Sequence, residues 1–259
     1  MLYLALSYLK LGIQNEMQYR VNFFVQLGQS VISLATGLIG LWLVFSHTSE
    51  LNGWTQAELL MVMGIFILMG GIINCIIQPN MTRLLEEIKL GTLDFALTKP
   101  TDAQGLVSIR EFRLWSLTDV LVGISVLSYG VNGYQGVVGV SQSLAFMLAM
   151  LLGSILIYSF WLIITSTAFW FVRVDEIVNL FQGVYAAGRW PVGIYPRWLR
   201  LGLTFIVPVA FAVTIPAEAL TSRLTPLILA GTFGLTVLFI ILARILWRLG
   251  LKNYSGASA

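Results

Sequence analysis

Stretches free of Asp, Glu, Lys and Arg recur along the chain at lengths that suit a lipid bilayer: 21–49, 59–82, 120–172, 201–217 and 224–243. Each such charge at mid-membrane costs roughly 2.5–3.5 kcal/mol on insertion scales, so long uncharged apolar runs mark spans. A further run, 177–188, falls short of the roughly 17 residues a regular span needs. The 120–172 run is too long for one helix, and its middle, 129–143, is rich in glycine and amide side chains and reads as a turn. The pattern predicts spans near 22–46, 59–78, 114–131, 144–172 and 225–247, with one further crossing inside 175–217. The expectation is an all-α integral membrane protein with six transmembrane helices, built as one domain over 1–259.

Composition supports lipid as the solvent. Apolar residues make up 58% of the 259, charged ones only 10%, and the mean hydropathy is +0.86, whereas a soluble domain carries about a quarter charged residues. The formal charge of +3 is scattered between apolar runs, which argues against nucleic acid as a partner. The basic residues instead mark sidedness. Lys10 and Arg20 precede the first span, five lie in 79–113, Arg173 follows the fourth span, and Arg244, Arg248 and Lys252 end the chain, while 47–58 and 132–143 hold none. Both termini and 79–113 are expected in the cytosol. The N-terminus lacks the basic region and cleavage site of a signal peptide and is expected to stay on the protein.

The region 173–224 admits two readings. Charge prefers a span at 201–217, which keeps Arg189, Arg197 and Arg200 inside. Prolines prefer a crossing at about 175–190: Pro191, Pro196, Pro208 and Pro216 each remove a backbone donor, which suits short helices dipping into one leaflet.

Residues 1–20 place Leu2, Leu6, Leu9 and Ile13 at helical spacing beside Lys10, Gln14 and Glu16, an amphipathic helix on the membrane surface. In 80–90, Met81, Leu84, Leu85 and Ile88 form an apolar stripe with Arg83, Glu86, Glu87 and Lys89 elsewhere, so a short surface helix is expected, with Asn80 capping its start and Gly91 its end. Leu93, Phe95 and Leu97 alternate before Pro100 and predict an extended segment. Apolar and charged groups together on this loop suggest either docking or rest on the headgroups. Asp119 is expected to pair with Arg113 or to snorkel, with proton or substrate handling as the other reading. Ala145, Ala149 and Gly153, and later Gly183 and Ala187, form small faces for close helix approach. His47 reads as an interfacial residue, Cys75 as apolar filler, and the eight tryptophans as interfacial anchors.

No phosphate-binding GxxxxGK[ST] loop occurs, so ATP hydrolysis within this chain is not expected. Single cysteine and histidine residues exclude an intrachain disulfide framework and a multi-Cys/His zinc site. No GxSxG elbow or carboxylate cluster suggests catalysis, and no cofactor is expected.

The 88–100 segment IKLGTLDFALTKP resembles the G-x-L-D/E-x-L-L-x-x-P segment of ABC-2 permeases, the membrane subunits of ATP-binding-cassette exporters. GIYPRWL at 193–199 is similar to their P-x-W-L signature. PVAFAVTIPAEAL at 208–220 resembles their N-P-L-T-Y…R-x-x-L stretch, with Val207 where asparagine is usual and Glu218 near the usual arginine. The resemblance implies that 80–90 is a coupling helix received by a separate cytosolic ATPase. Its contacts would come from Arg83, Leu84, Glu86, Glu87 and Ile88, with Gly91, Leu93 and Asp94 following. It further implies a short fifth span at 175–190 and outer-leaflet helices over 191–221, with Trp190, Pro191, Pro196, Trp198, Pro208 and Glu218 as their markers. A second permease subunit, identical or similar, would complete the pathway in the plasma membrane, with Asn22, Gln26, Gln29 and Asn74 as polar lining for a hydrophobic or amphipathic cargo. Against this stands an ATP-independent secondary transporter or lipid scramblase.

Overall fold

Two helices whose backbones nearly touch form the centre of the molecule. Helix α3 (Gln56–Ile72) and helix α7 (Leu117–Gly133) run antiparallel, with glycines at seven-residue spacing on each. A Cβ on Gly64 would lie 2.5 Å from the Leu127 nitrogen, one on Gly71 2.8 Å from the Val120 nitrogen, and one on Gly123 2.5 Å from the Leu68 nitrogen. Gly130 meets the Met61 nitrogen at 2.9 Å in the same way. Only hydrogen fits at these four positions, so the pair gains backbone contact, the main attraction between helices in lipid. The sequence reading did not single out these glycines. Of those it did, Gly153 makes such an approach, 2.5 Å to the Phe211 oxygen, whereas Gly183 has nothing within 4 Å.

The structure, a computed structural model, describes residues 2–18, 20–171 and 175–254. Within these, α1 (Leu2–Gln18) precedes α2 (Arg20–Phe45), and α8 (Val140–Ser166) and α12 (Pro226–Asn253) complete the long helices. Short helices fill the connections: α4 (Gln78–Leu90), α5 (Asp94–Leu97), α6 (Ala103–Val107), α9 (Asp175–Ala186), α10 (Arg197–Leu201) and α11 (Ile215–Leu220). Among the described residues there is no strand, and five helical rods are long and apolar enough to cross a membrane. They overlap the five spans read from charge spacing, but the second runs on to Leu90, the fourth begins at Val140 with its helix ending at Ser166, and the last continues to Asn253. Arg173, one of the sidedness markers, lies outside the described residues.

Among the described residues no sixth single helix is long enough to cross. Helix α9 has 12 residues, about 18 Å of rise against a hydrocarbon core of about 30 Å. The segments 197–206 and 210–220 are together apolar enough for a span but fold on each other by 82°. The bend sits at 207–209, where Pro208 interrupts the backbone ladder.

One end of the bundle is fastened around the loop 51–58. The Asn52 side chain donates to the Gly193 carbonyl (3.0 Å), and Arg223 donates to the Gly53 carbonyl and Glu58 (both 2.7 Å) while lying 4.5 Å from the Trp54 ring centre. Thr55 and Glu58 form a reciprocal cap on α3. The stretch 193–223 thus begins and ends at the same loop. At the opposite end, the Leu93 amide donates to the Tyr254 hydroxyl (3.0 Å), Arg244 pairs with Asp102 (2.7 Å), and Lys99 reaches the Tyr8 hydroxyl (3.2 Å). Helix α1 and the end of α12 therefore both meet the 91–116 segment.

Two local expectations are corrected. The second span and the 80–90 helix are not separate: a π-helical turn at Ile73–Ile77 joins α3 to α4 in one rod, Gln56–Leu90. Pro79 cannot donate to the Cys75 carbonyl, and that carbonyl instead accepts the Arg113 amide at 2.9 Å, so the proline is tolerated without a break. The 91–100 segment is not extended. Gly91 ends α4 in the left-handed region at φ 69°, and α5 turns so that Leu93 and Ala96 are buried while Phe95 stays 77% exposed.

Candidate functional site

A cleft of about 420 Å³ opens between α2, the α3–π junction, the start of α7 and α9. Three of the four pathway candidates line it: Gln26, Gln29 and Asn74; the side chain of Asn22 lies outside the described ones. The fold adds residues that spacing could not gather, namely Gln78, Gln182, Arg113 and Asp119. Helical register explains the α2 contribution, since Gln26, Gln29, Ser30 and Ser33 recur at three or four residues and share a face.

Asp119 is held from across the cleft, and not by Arg113 as expected. The Gln26 amide donates to it at 2.9 Å, and the Ser30 hydroxyl also donates to its carboxylate. These bonds join α2 to α7 and satisfy a carboxylate placed near apolar surroundings. The opposite wall is aromatic. Phe66 and Tyr185 stack with centres 4.8 Å apart, Phe181 stacks on Tyr185 at 5.9 Å, and the Tyr185 hydroxyl donates to the Phe66 carbonyl at 2.8 Å. Gly70 makes room for that ring, with its Cβ position 3.5 Å from Tyr185. Helix α9 is pinned to α3 along this wall.

The hairpin after α3 is a charge network facing inward as well as outward. Arg110, with a side chain 6% exposed, grips Glu87 with both terminal nitrogens at 2.9 and 2.6 Å. Arg83 pairs with Glu87 at 3.1 Å and with Glu111. Asn80 does not cap α4 as expected. Its amide donates to the Ile76 and Glu111 carbonyls, both at 2.7 Å, and its oxygen accepts the Arg110 and Glu111 amides at 2.8 and 2.9 Å. Helix α4 is thereby clamped to the connector 110–116, which leads directly to Arg113, Ser116 and Asp119 in the cleft.

The coupling candidates consequently divide. Leu84, Ile88 and Leu93 are buried in the protein's own core, where they set the position of the hairpin. Arg83 and Glu87 are engaged internally, Gly91 is the helix stop and Asp94 opens α5. Glu86 is exposed, and one helical turn further on Leu90 is 70% exposed. With exposed Lys89 on α4 and exposed Phe95 on α5, they make the hairpin tip apolar and charged.

Of the markers for 191–221, Pro191 and Pro208 are buried, Trp190 and Glu218 half-buried, and Pro196 and Trp198 exposed. The Thr214 hydroxyl accepts the Val192 amide at 3.2 Å, joining the two halves of the stretch.

No curated protein and no solved structure matches the chain significantly. The family model described as "ABC-2 family transporter protein" matches residues 31–258, from within α2 to beyond the last helix. The chain therefore belongs to the ABC-2 family of transporter proteins, as a multi-pass membrane permease of the ATP-binding-cassette type.

Proposed function

We propose that this permease forms the substrate pathway of an exporter in the plasma membrane and is driven by a separate cytosolic ATPase that grips the tip of the α4–α5 hairpin. The observation that carries this is the unbroken rod Gln56–Leu90, which runs from the 51–58 loop past the cleft to an exposed tip of Glu86, Leu90 and Phe95. A push on that tip reaches the cleft through the Glu87–Arg110 and Asn80 clamps. Closure of an ATPase dimer would move two such rods together and rock the bundles between inward- and outward-facing states. A second permease, identical or similar, faces the first across the pathway.

In this reading both termini and the hairpin are cytosolic, which the basic residues of 79–113 and the chain end support. The stretch 191–221 is a re-entrant pair in the outer leaflet after a short fifth span at 175–190. The fastening of both Gly193 and Arg223 to the 51–58 loop supports it, because a true crossing would carry them to opposite ends. Asp119 in the cleft favours one competing reading, an ion-coupled transporter without ATPase.

Glu86→Lys and Phe95→Asp should each weaken co-purification with the ATPase while leaving membrane insertion and thermal stability intact. Undiminished co-purification of the double variant contradicts the docking role.

A further inference from the structure

The side chains of the cleft define a chemistry for what enters it, granted the reading of this cleft as part of the pathway. Gln29, Asn74, Gln78 and Gln182 all line it, and among the described residues none of the four side chains finds a hydrogen-bond partner. Each carboxamide offers two donors and one acceptor oxygen. Four unpaired amides converging on one cavity in a protein with 10% charged residues form a recognition lining without net charge. The charges present, Asp119 and Arg113, are one of each sign. Asp119 already receives two donors from α2, which orients its carboxylate and leaves further lone pairs to accept from a ligand. Ser33 and Ser116 add hydroxyls, and the stacked Phe66 and Tyr185 give an apolar wall.

Groups that both donate and accept are complementary to hydroxyls. A phosphate would require converging cations, and among the described residues lining the cleft Arg113 is the one cation. A quaternary amine would require an open aromatic cage, whereas these rings are stacked on one another. We infer that the cleft binds the neutral, hydroxyl-rich headgroup of a glycosylated amphiphile, with the sugar hydroxyls on the amides and Asp119 and the apolar chain along the aromatic wall and out towards lipid. Helix α2, which forms one side of the cleft, also exposes Phe24, Val25 and Ile32, so an alkyl tail can stay in hydrocarbon while the head enters.

The test uses the full-length permease in lipid nanodiscs and an alkyl glucoside carrying a photoreactive diazirine on its chain. Cross-links mapped by mass spectrometry should fall on peptides of α2, α3 and α9, and excess plain alkyl glucoside should compete while alkyl phosphocholine of the same chain length should not. Asn74→Leu/Gln182→Leu, nearly isosteric and without hydrogen bonds, should raise the glucoside concentration for half-competition roughly tenfold, the loss expected for two neutral hydrogen bonds. An unshifted melting temperature shows that the variant is folded, and Gln29→Leu serves in its place if it is not. Equal competition by phosphocholine, cross-links spread evenly over lipid-facing helices, or variants indistinguishable from the parent overturn the assignment. No ATPase takes part, so failure here removes the headgroup class and leaves the dependence of transport on ATPase to be judged separately.

Discussion

Replacing Arg110 by leucine should destabilise the protein far more than losing a surface ion pair does. Arg110 is 6% exposed at its side chain and holds both oxygens of Glu87, itself 15% exposed. Breaking a buried pair by removing one partner costs about 3–5 kcal/mol, because the remaining charge stays desolvated. Glu87 keeps one bond from Arg83 at 3.1 Å, which brings the expectation below that range, to about 2–3 kcal/mol. For a chain of this size each kcal/mol moves the melting temperature by about 2–4 °C, so the variant should melt about 5–10 °C below the parent. The double variant Arg110→Leu/Glu87→Leu removes both charges and should recover more than half of that loss. Nanodisc-embedded protein followed by intrinsic fluorescence on heating gives the melting temperatures. An Arg110→Leu variant that melts with the parent, or a double variant no better than the sum of the singles, would refute the internal clamp and return Glu87 to the outer surface.

Gly123→Ala should cost about 1–3 kcal/mol, since its Cβ would sit 2.5 Å from the Leu68 nitrogen and force α3 and α7 apart. Gly183→Ala, with nothing within 4 Å, should be neutral or slightly stabilising in the same melting assay. In a Cys75→Ala background, Arg197→Cys should be labelled by an impermeant thiol reagent from outside intact cells and Lys99→Cys only after permeabilisation. The reverse pattern would remove the proposed sidedness and the outer-leaflet placement of 191–221.

The long helices were legible because charge is so costly in hydrocarbon that its spacing alone outlines them, and Pro226 and Val140 begin helices within a few residues of where the charge-free runs suggest. Continuity across Pro79 was not legible. Whether a proline breaks a helix depends on who takes its orphaned carbonyl, and here the taker, the Arg113 amide, is distant in sequence. Glu87 illustrates the same limit from the other side: one helical face of Arg83, Glu86 and Glu87 reads as solvent-exposed until Arg110, 23 positions on, folds against it. For Asp119, the nearest arginine in sequence was the natural partner, yet the actual ones come from α2, 89 and 93 positions away. The glycines of α3 and α7 did carry a signal, a seven-residue spacing in two neighbouring spans, that a search for four-residue small faces passed over.

The central claim is that this chain forms a path and consumes no fuel of its own. Proteoliposomes containing the permease, with or without the proposed ATPase, can be loaded with a fluorescent glycosylated amphiphile and followed on addition of ATP. The account predicts movement only when ATPase and ATP are both present, and its loss in Glu86→Lys/Phe95→Asp. Movement at full rate with the permease alone, or nucleotide hydrolysis by the purified permease, would contradict it.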